Sequence, residues 1–126
     1  AADDVAVPVG EITRIIPHLH AIGERHGLRM ALYGHVGDGN LHVNFLADDP
    51  DDELTARSID AARVDLFHRV LQVGGTLSGE HGIGLAKRSF MILEHAPEEL
   101  DLMRAIKRLW DPLGLLNPGK LLPEPL

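Results

Sequence analysis

Two runs of β-forming residues, 28–33 and 41–46, flank the glycine-rich connection GHVGDGN, and this segment constrains the chain more than any other. A short connection of Gly and Asp between two such runs is the pattern of an antiparallel hairpin, so the residues on either side of it must face one another. A turn symmetric about Asp38 and Gly39 places His35 opposite His42 and Tyr33 opposite Asn44. Directly opposed Cβ atoms lie about 4.5–5.5 Å apart, close enough for two imidazoles to share one metal ion. Asn44, two residues beyond His42, shares that face. Tyr33 reads either as a lining residue or as core. Glycines 34, 37 and 39 permit positive φ and the close approach of a ligand or backbone. Asp38 reads as the turn former, because a carboxylate at the tip points away from the shared face, and Asn40 reads as structural. A single His on a strand is ordinarily an exposed or satisfied side chain. Two in register point instead toward a metal.

The remaining pattern surrounds the hairpin with helices. Residues 4–8 read as a strand, and 11–26 as a helix with Ile12, Ile15, Ile16, Leu19 and Ile22 at helical spacing, kinked at Pro17 and stopped by Gly27. After the acidic turn DDPDDE, a helix over 54–73 carries Ile59, Ala62, Leu66, Phe67, Val70 and Val73 on one face and ends at Gly74 and Gly75. TLSGEHGIG reads as a short strand passing into a loop. A third helix starts at Pro97, with Glu98 and Glu99 complementing its dipole, and stops before Pro112. Leu100, Met103, Ile106 and Trp110 form its apolar stripe, which predicts core packing for all four. The tail LGLLNPGKLLPEPL is expected to lie extended on a surface belonging to another domain.

The order β-α-β-β-α, then a short strand and a helix, predicts an α+β fold: a ferredoxin-like antiparallel sheet with helices on one face. At 126 residues one domain is expected, with no room for a flavin or dinucleotide domain beside it. The chain is expected to be part of a longer protein, because a strand-like run appears almost at its first residue. A net charge of -7 disfavours nucleic acid and anionic membranes as partners. Without cysteine, thiolate zinc sites, disulfides and Cys nucleophiles are excluded, and a metal must use His, Asp or Glu. No apolar run reaches the roughly 20 residues a membrane helix needs.

SGEHGIG supplies the third donor. Its Glu80 and His81 stand between glycines, where backbone freedom lets both side chains reach one cavity. Two His and one carboxylate make a three-ligand set with open positions, as catalytic divalent sites require. An imidazole titrates near working pH, so His81 suits a general base. The plainer alternative is a glycine-rich loop carrying a solvated charge pair. His18, His20, His26, His68 and His95 read as surface residues, and Lys87 and Arg88 as solvated rather than as contacts to an acidic substrate.

Taken together, GHVGDGNLHVN (34–44), SGEHGIGLAKR (78–88) and WDPLGLLNPGK (110–120) resemble the C-terminal domain of FAD-linked oxidases of the vanillyl-alcohol-oxidase superfamily. The resemblance is to the D-2-hydroxyglutarate dehydrogenase, D-lactate dehydrogenase and glycolate oxidase large-subunit type, and it spans almost the whole chain in order. It implies that His35, His42 and Glu80 hold a divalent metal, zinc in the best-fitting members. It also implies that Asn44 and His81 contact the hydroxy acid, that His81 is the base, and that Asn117 belongs to the segment returning to the flavin. Asn-Pro-Gly by itself reads as a helix-terminating turn. FAD would be bound mainly by an N-terminal domain absent from this sequence, and the upstream Arg, Thr and Lys that help hold the substrate carboxylate are absent with it. The 126-residue piece is therefore expected to be inactive alone, a partial cap domain with a C-terminal helix.

The implied reaction oxidises a D-2-hydroxy acid to the 2-oxo acid. The implied partners are the small 2-hydroxy acid and the FAD-binding domain, with an electron-transfer partner and a homo-oligomer also compatible. A cytoplasmic location is expected, peripheral attachment to the inner membrane included. Two other classes remain open on the residues alone. A two-His, one-carboxylate site also serves Fe(II) oxygenases and zinc hydrolases, although the HExxH helix of many of the latter is missing. A non-enzymatic metal-binding or interaction module is the other.

Overall fold

The computed structural model describes residues 1–49 and 52–124, so Pro50 and Asp51 of the acidic turn and Pro125 and Leu126 of the tail lie outside the described residues. The chain divides into two compact units, Ala1–His81 and Gly82–Leu126. The first comprises β1 (Ala2–Ala6), a 3-10 turn (Val9–Glu11), α1 (Ile12–Arg25), β2 (Arg29–His35), β3 (Asn40–Leu46) and α2 (Glu53–Gln72). Its sheet runs in the order β1-β3-β2, antiparallel throughout. Thr76 adds an antiparallel bridge to Ala6 on the outer side of β1. This is the expected α+β, ferredoxin-like connectivity, with the last strand reduced to one bridge.

Alternation decides which face is core. Val5, Leu41, Val43 and Phe45 are buried on one face, together with Ile15, Leu19 and Ile22 of α1 and Ile59, Ala62, Leu66, Phe67 and Val70 of α2. These are the helical residues whose spacing predicted them. Pro17 lies inside α1 without ending it. Both Pro17 and Thr13, whose carbonyl loses its helical donor there, are exposed, so water can satisfy that carbonyl. α2 begins at Asp52, whose carboxylate accepts from Thr55 N–H at 2.8 Å and is held below its ordinary pKa mainly by that bond. Positive φ at Gly27 and Gly74 ends the two helices.

One charged group lies within this apolar layer. Asp3, opposite Val43 in the register, is 2% exposed and takes a bidentate pair from Arg63 of α2, at 2.8 Å to Nε and 3.0 Å to Nη2. The guanidinium also sits 5.8 Å from the Phe67 ring centroid. The pair ties β1 to α2.

The second unit holds α3 (Gly84–Lys87), a 3-10 turn (Arg88–Phe90), α4 (Met91–Glu94) and α5 (Pro97–Trp110). Pro97 stands at the start of α5 as expected, and the Glu99 carboxylate accepts from Ala96 N–H at 2.8 Å. The short helices over 84–94 were not anticipated, because they are single turns without side-chain caps.

Several sequence expectations need correction. The first strand is Ala2–Ala6 rather than 4–8. Of the α5 stripe only Leu100 is buried, while Ile106 is 52% and Trp110 80% exposed, because the short elements of this unit offer no layer to cover that face. Lys87 is buried rather than solvated, and Arg88 is half-buried and donates to the Gly119 carbonyl. His26 is half-buried too, bonded at 2.8 Å to Asp65, whose carboxyl is lowered chiefly by that bond. The segment after α5 is a series of turns rather than an extended tail. Asp111 organises it by accepting from Leu115 and Leu116 N–H, each at 2.9 Å, and from the Lys107 ammonium. Among the described residues no helix is long and apolar enough to cross a membrane.

Arg63→Met, which strands the Asp3 carboxylate, should cost about 3–5 kcal/mol in urea denaturation, and Asp3→Leu in the same chain should recover most of it. Asp111 has its pKa lowered from 3.8 to about 2, first by the Lys107 hydrogen bond and then by the backbone N–H donors. A carboxyl depressed in the folded state stabilises fully above its unfolded pKa and loses that contribution as pH falls through the folded value. The melting-temperature gap between wild type and Asp111→Asn should therefore be constant above about pH 4 and close toward pH 2.

Candidate metal centre

β3 is the central strand, so its polar-facing residues have neighbours on both sides. His42 lies between Asp4 of β1 and Tyr33 of β2, and Asn44 between Ala2 and Ala31. The hairpin register thus differs from the symmetric one expected: His35 faces Asn40, Tyr33 faces His42, and Asn44 faces Ala31. The loop has four residues, 36–39, and its centre lies between Gly37 and Asp38 rather than between Asp38 and Gly39. Asp38 closes it by accepting from Asn40 N–H at 3.1 Å while its own N–H bonds to His35 O at 3.3 Å, so it is the turn former.

Of the three hairpin glycines only Gly39 has positive φ, at 81°. Gly34 is required instead for space, since a Cβ there would overlap the Asn40 carbonyl. The register error is a shift of two, and side chains repeat with period two, so His35 and His42 keep one face and meet diagonally. Their ring centroids are 5.6 Å apart, edge to face.

Glu80 reaches this face from the loop after the Thr76 bridge. Its Oε1 lies 3.2 Å from His42 Nε2 and 3.8 Å from His35 Nε2, and one donor atom from each of the three residues falls within 4.8 Å of the others. Tetrahedral bonds of about 2.0–2.1 Å place ligand atoms about 3.3 Å apart, so the three donors need only contract slightly to hold one ion. Two imidazole nitrogens and a carboxylate suit a borderline divalent cation. His42 is buried, while His35 and Glu80 are exposed, which leaves the outer side open for further coordination.

His81 borders the cluster. Its ring centroid is 5.2 Å from that of His42, and its Nε2 is 4.0 Å from Glu80 Oε1. Tyr33 is exposed and packs against the other side of His42 at 5.1 Å, so it lines the site rather than the core. Asn44 is half-buried on the same strand face. Asn117 belongs to the Gly82–Leu126 unit, where it has φ 46° in an exposed turn that brings Lys120 N–H to its carbonyl.

One residue of the site, Asp4, was not singled out from sequence, and another, Asn40, was read only as structural. Asp4, fully buried, accepts from Glu80 N–H, from His81 N–H at 3.1 Å and from the Ser78 hydroxyl at 3.3 Å. The signal available was composition: Asp is depleted in strands, and two successive Asp in a buried strand need partners on both faces. Asn40 is buried, and its Oδ1 has no hydrogen-bond partner among the described residues. Its side chain packs on Gly79, where a Cβ would come within 2.5 Å of Asn40 Nδ2 and 3.1 Å of Asp4 Oδ2. Gly79→Ala should therefore unseat the loop through overpacking of about 1–3 kcal/mol, read as faster hydrogen exchange at the Glu80 and His81 amides. Unchanged exchange would mean that Asp4 does not hold these amides.

The description of one family model, FAD linked oxidases, C-terminal domain, matches residues 2–121. Similar curated proteins include a glycolate oxidase subunit of Bacillus subtilis, 33% identical over 94% of this chain and 25% of its own length. A D-2-hydroxyglutarate dehydrogenase of Stutzerimonas stutzeri is 34% identical, with 94% and 26% covered. A D-lactate dehydrogenase of Archaeoglobus fulgidus is 39% identical, again with 94% and 26% covered. The chain thus spans about a quarter of the length of these relatives.

Proposed function

This chain belongs to the family of C-terminal domains of FAD linked oxidases, and from that premise we propose that it is the metal- and substrate-binding part of a flavin-dependent dehydrogenase that oxidises a D-2-hydroxy acid to the 2-oxo acid. The observation that carries the reading is the convergence of His35, His42 and Glu80 on one open sheet face with His81 at its edge. The names of the relatives support the substrate class: glycolate, D-lactate and D-2-hydroxyglutarate are all 2-hydroxy acids.

In this reading the three residues hold a divalent ion, zinc by the family resemblance, which would supply Lewis acidity while FAD supplies the redox chemistry. Oxidation removes a proton from the α-hydroxyl and a hydride from the α-carbon. This chain's share is the proton. His81 Nε2, which faces the cluster, accepts it, and the Asn44 amide donates to the substrate carboxylate, a role supported by its position on the strand face of His42. Tyr33 restricts the approach from the β2 side. Asn117, exposed in its left-handed turn, is the residue assigned to the flavin side. The FAD-binding domain and an electron acceptor complete the proposed assembly.

Zinc titration calorimetry on wild type and variants tests the centre. His42→Ala should weaken zinc binding by roughly 100-fold or more, since it removes one of three donors. His81→Ala should leave zinc binding nearly intact while lowering turnover of the full-length flavoprotein by about 100- to 10,000-fold. A wild-type protein indifferent to zinc and to other divalent ions would overturn the metal reading. Metal-dependent hydrolysis or oxygen uptake without flavin would favour a different enzyme class.

A further inference from the structure

Asp4 occupies a place that the sheet alone does not explain. Its neighbour Asp3 faces the helices and takes Arg63, whereas Asp4 faces the opposite side, directly across from His42 in the register. It is 0% exposed. Desolvating a carboxylate there costs several kcal/mol unless donors surround it, and a Val would serve the strand better, as at position 5. The donors that surround it come from one short segment, 78–81: the Ser78 hydroxyl and the Glu80 and His81 backbone N–H groups. Asp4 therefore sets where Glu80 starts toward His42.

The same carboxylate reaches the His81 ring. Nδ1 lies 3.5 Å from Asp4 Oδ1, while Nε2 is turned toward Glu80 Oε1 at 4.0 Å. An ionised carboxylate only accepts hydrogen bonds, so the nearer of the two nitrogens, Nδ1, is the one favoured to carry the proton, and the lone pair of a neutral ring is then left on Nε2.

We propose that Asp4 is the positioning residue of this centre: it seats the 78–81 loop so that Glu80 meets His35 and His42, and it fixes His81 in the Nδ1–H tautomer with the Nε2 lone pair toward the substrate side. The inference rests on the reading of His81 as the proton acceptor. It deepens that reading by separating two duties of one carboxylate, holding a loop and orienting a ring.

The two duties separate by substitution. Asp4→Asn keeps an oxygen for the backbone N–H groups but presents an NH2 donor to Nδ1, which moves the ring proton to Nε2. Zinc affinity should then stay within about threefold of wild type, whereas Asp4→Ala, which also releases the loop, should weaken it about 10- to 100-fold. In the full-length flavoprotein Asp4→Asn should lower kcat roughly 100-fold or more with KM changed less than about threefold, the signature of a wrong tautomer rather than lost binding. Wild-type kcat in Asp4→Asn overturns the proposal. An independent measurement needs no variant: side-chain 15N spectra of wild type should show His81 protonated at Nδ1, and protonation at Nε2 alone overturns the proposal equally. Loss of zinc binding by the wild type would instead remove the metal reading, with the tautomer still decided by the spectra.

Discussion

The pairing of β3 on both its edges is the constraint from which the rest follows. A central strand has its backbone donors and acceptors satisfied by two neighbours, so His42 is fixed in direction and height. Through this pairing Asp4 and Tyr33 become its lateral neighbours and His35 its diagonal one. The alternation that buries Leu41, Val43 and Phe45 against the helices turns His42 and Asn44 to the other side. A shift of β3 by one residue would place the imidazole in the apolar layer and a core side chain at the centre.

The consecutive acids of β1 express the same geometry. Asp3 and Asp4 are both buried, yet they face opposite layers and have opposite kinds of partner. One meets a guanidinium that ties the strand to α2, and the other meets the backbone N–H groups of a glycine-flanked loop. Strands β2 and β3 thus carry two of the three donors, His35 and His42, and the segment bearing the third is held to β1 by hydrogen bonds. The open rim of the cluster leaves positions for further coordination.

Much of this was legible because it depends on local pattern. Helical spacing identified the buried faces of α1 and α2, Pro97 marked the start of α5, and Gly27 and Gly74 marked helix ends. His35, His42 and Glu80 were singled out as residue types that could share a metal, and the structure brings them together. Other features were misread where the deciding contact is distant. The hairpin register depends on where the turn is centred, and pairing of His35 with Asn40 centres it between Gly37 and Asp38 rather than on Asp38 and Gly39, with the Asp38 side chain bonded to Asn40 N–H in a way that spacing does not reveal. The α5 stripe looked like core because amphipathic spacing says which face is apolar, not whether anything covers it. Lys87 was read as solvated because base rates of exposure ignore its particular surroundings.

By itself, then, the sequence determined the chemical inventory and its periodicity: which side chains can donate to a metal, which stretches form helices and hairpin, and which residues share a strand face. The family follows from the same residues in the same order. Only the tertiary structure decided that His42 sits beside Asp4, that Glu80 closes on the two imidazoles, and that Asp4 holds the loop from which Glu80 and His81 project. The physical reason is range. Periodicity and turn chemistry act over a few residues, whereas the bonds from Asp4 to the 78–81 segment join positions more than 70 apart, and only the packed sheet brings them within hydrogen-bonding distance.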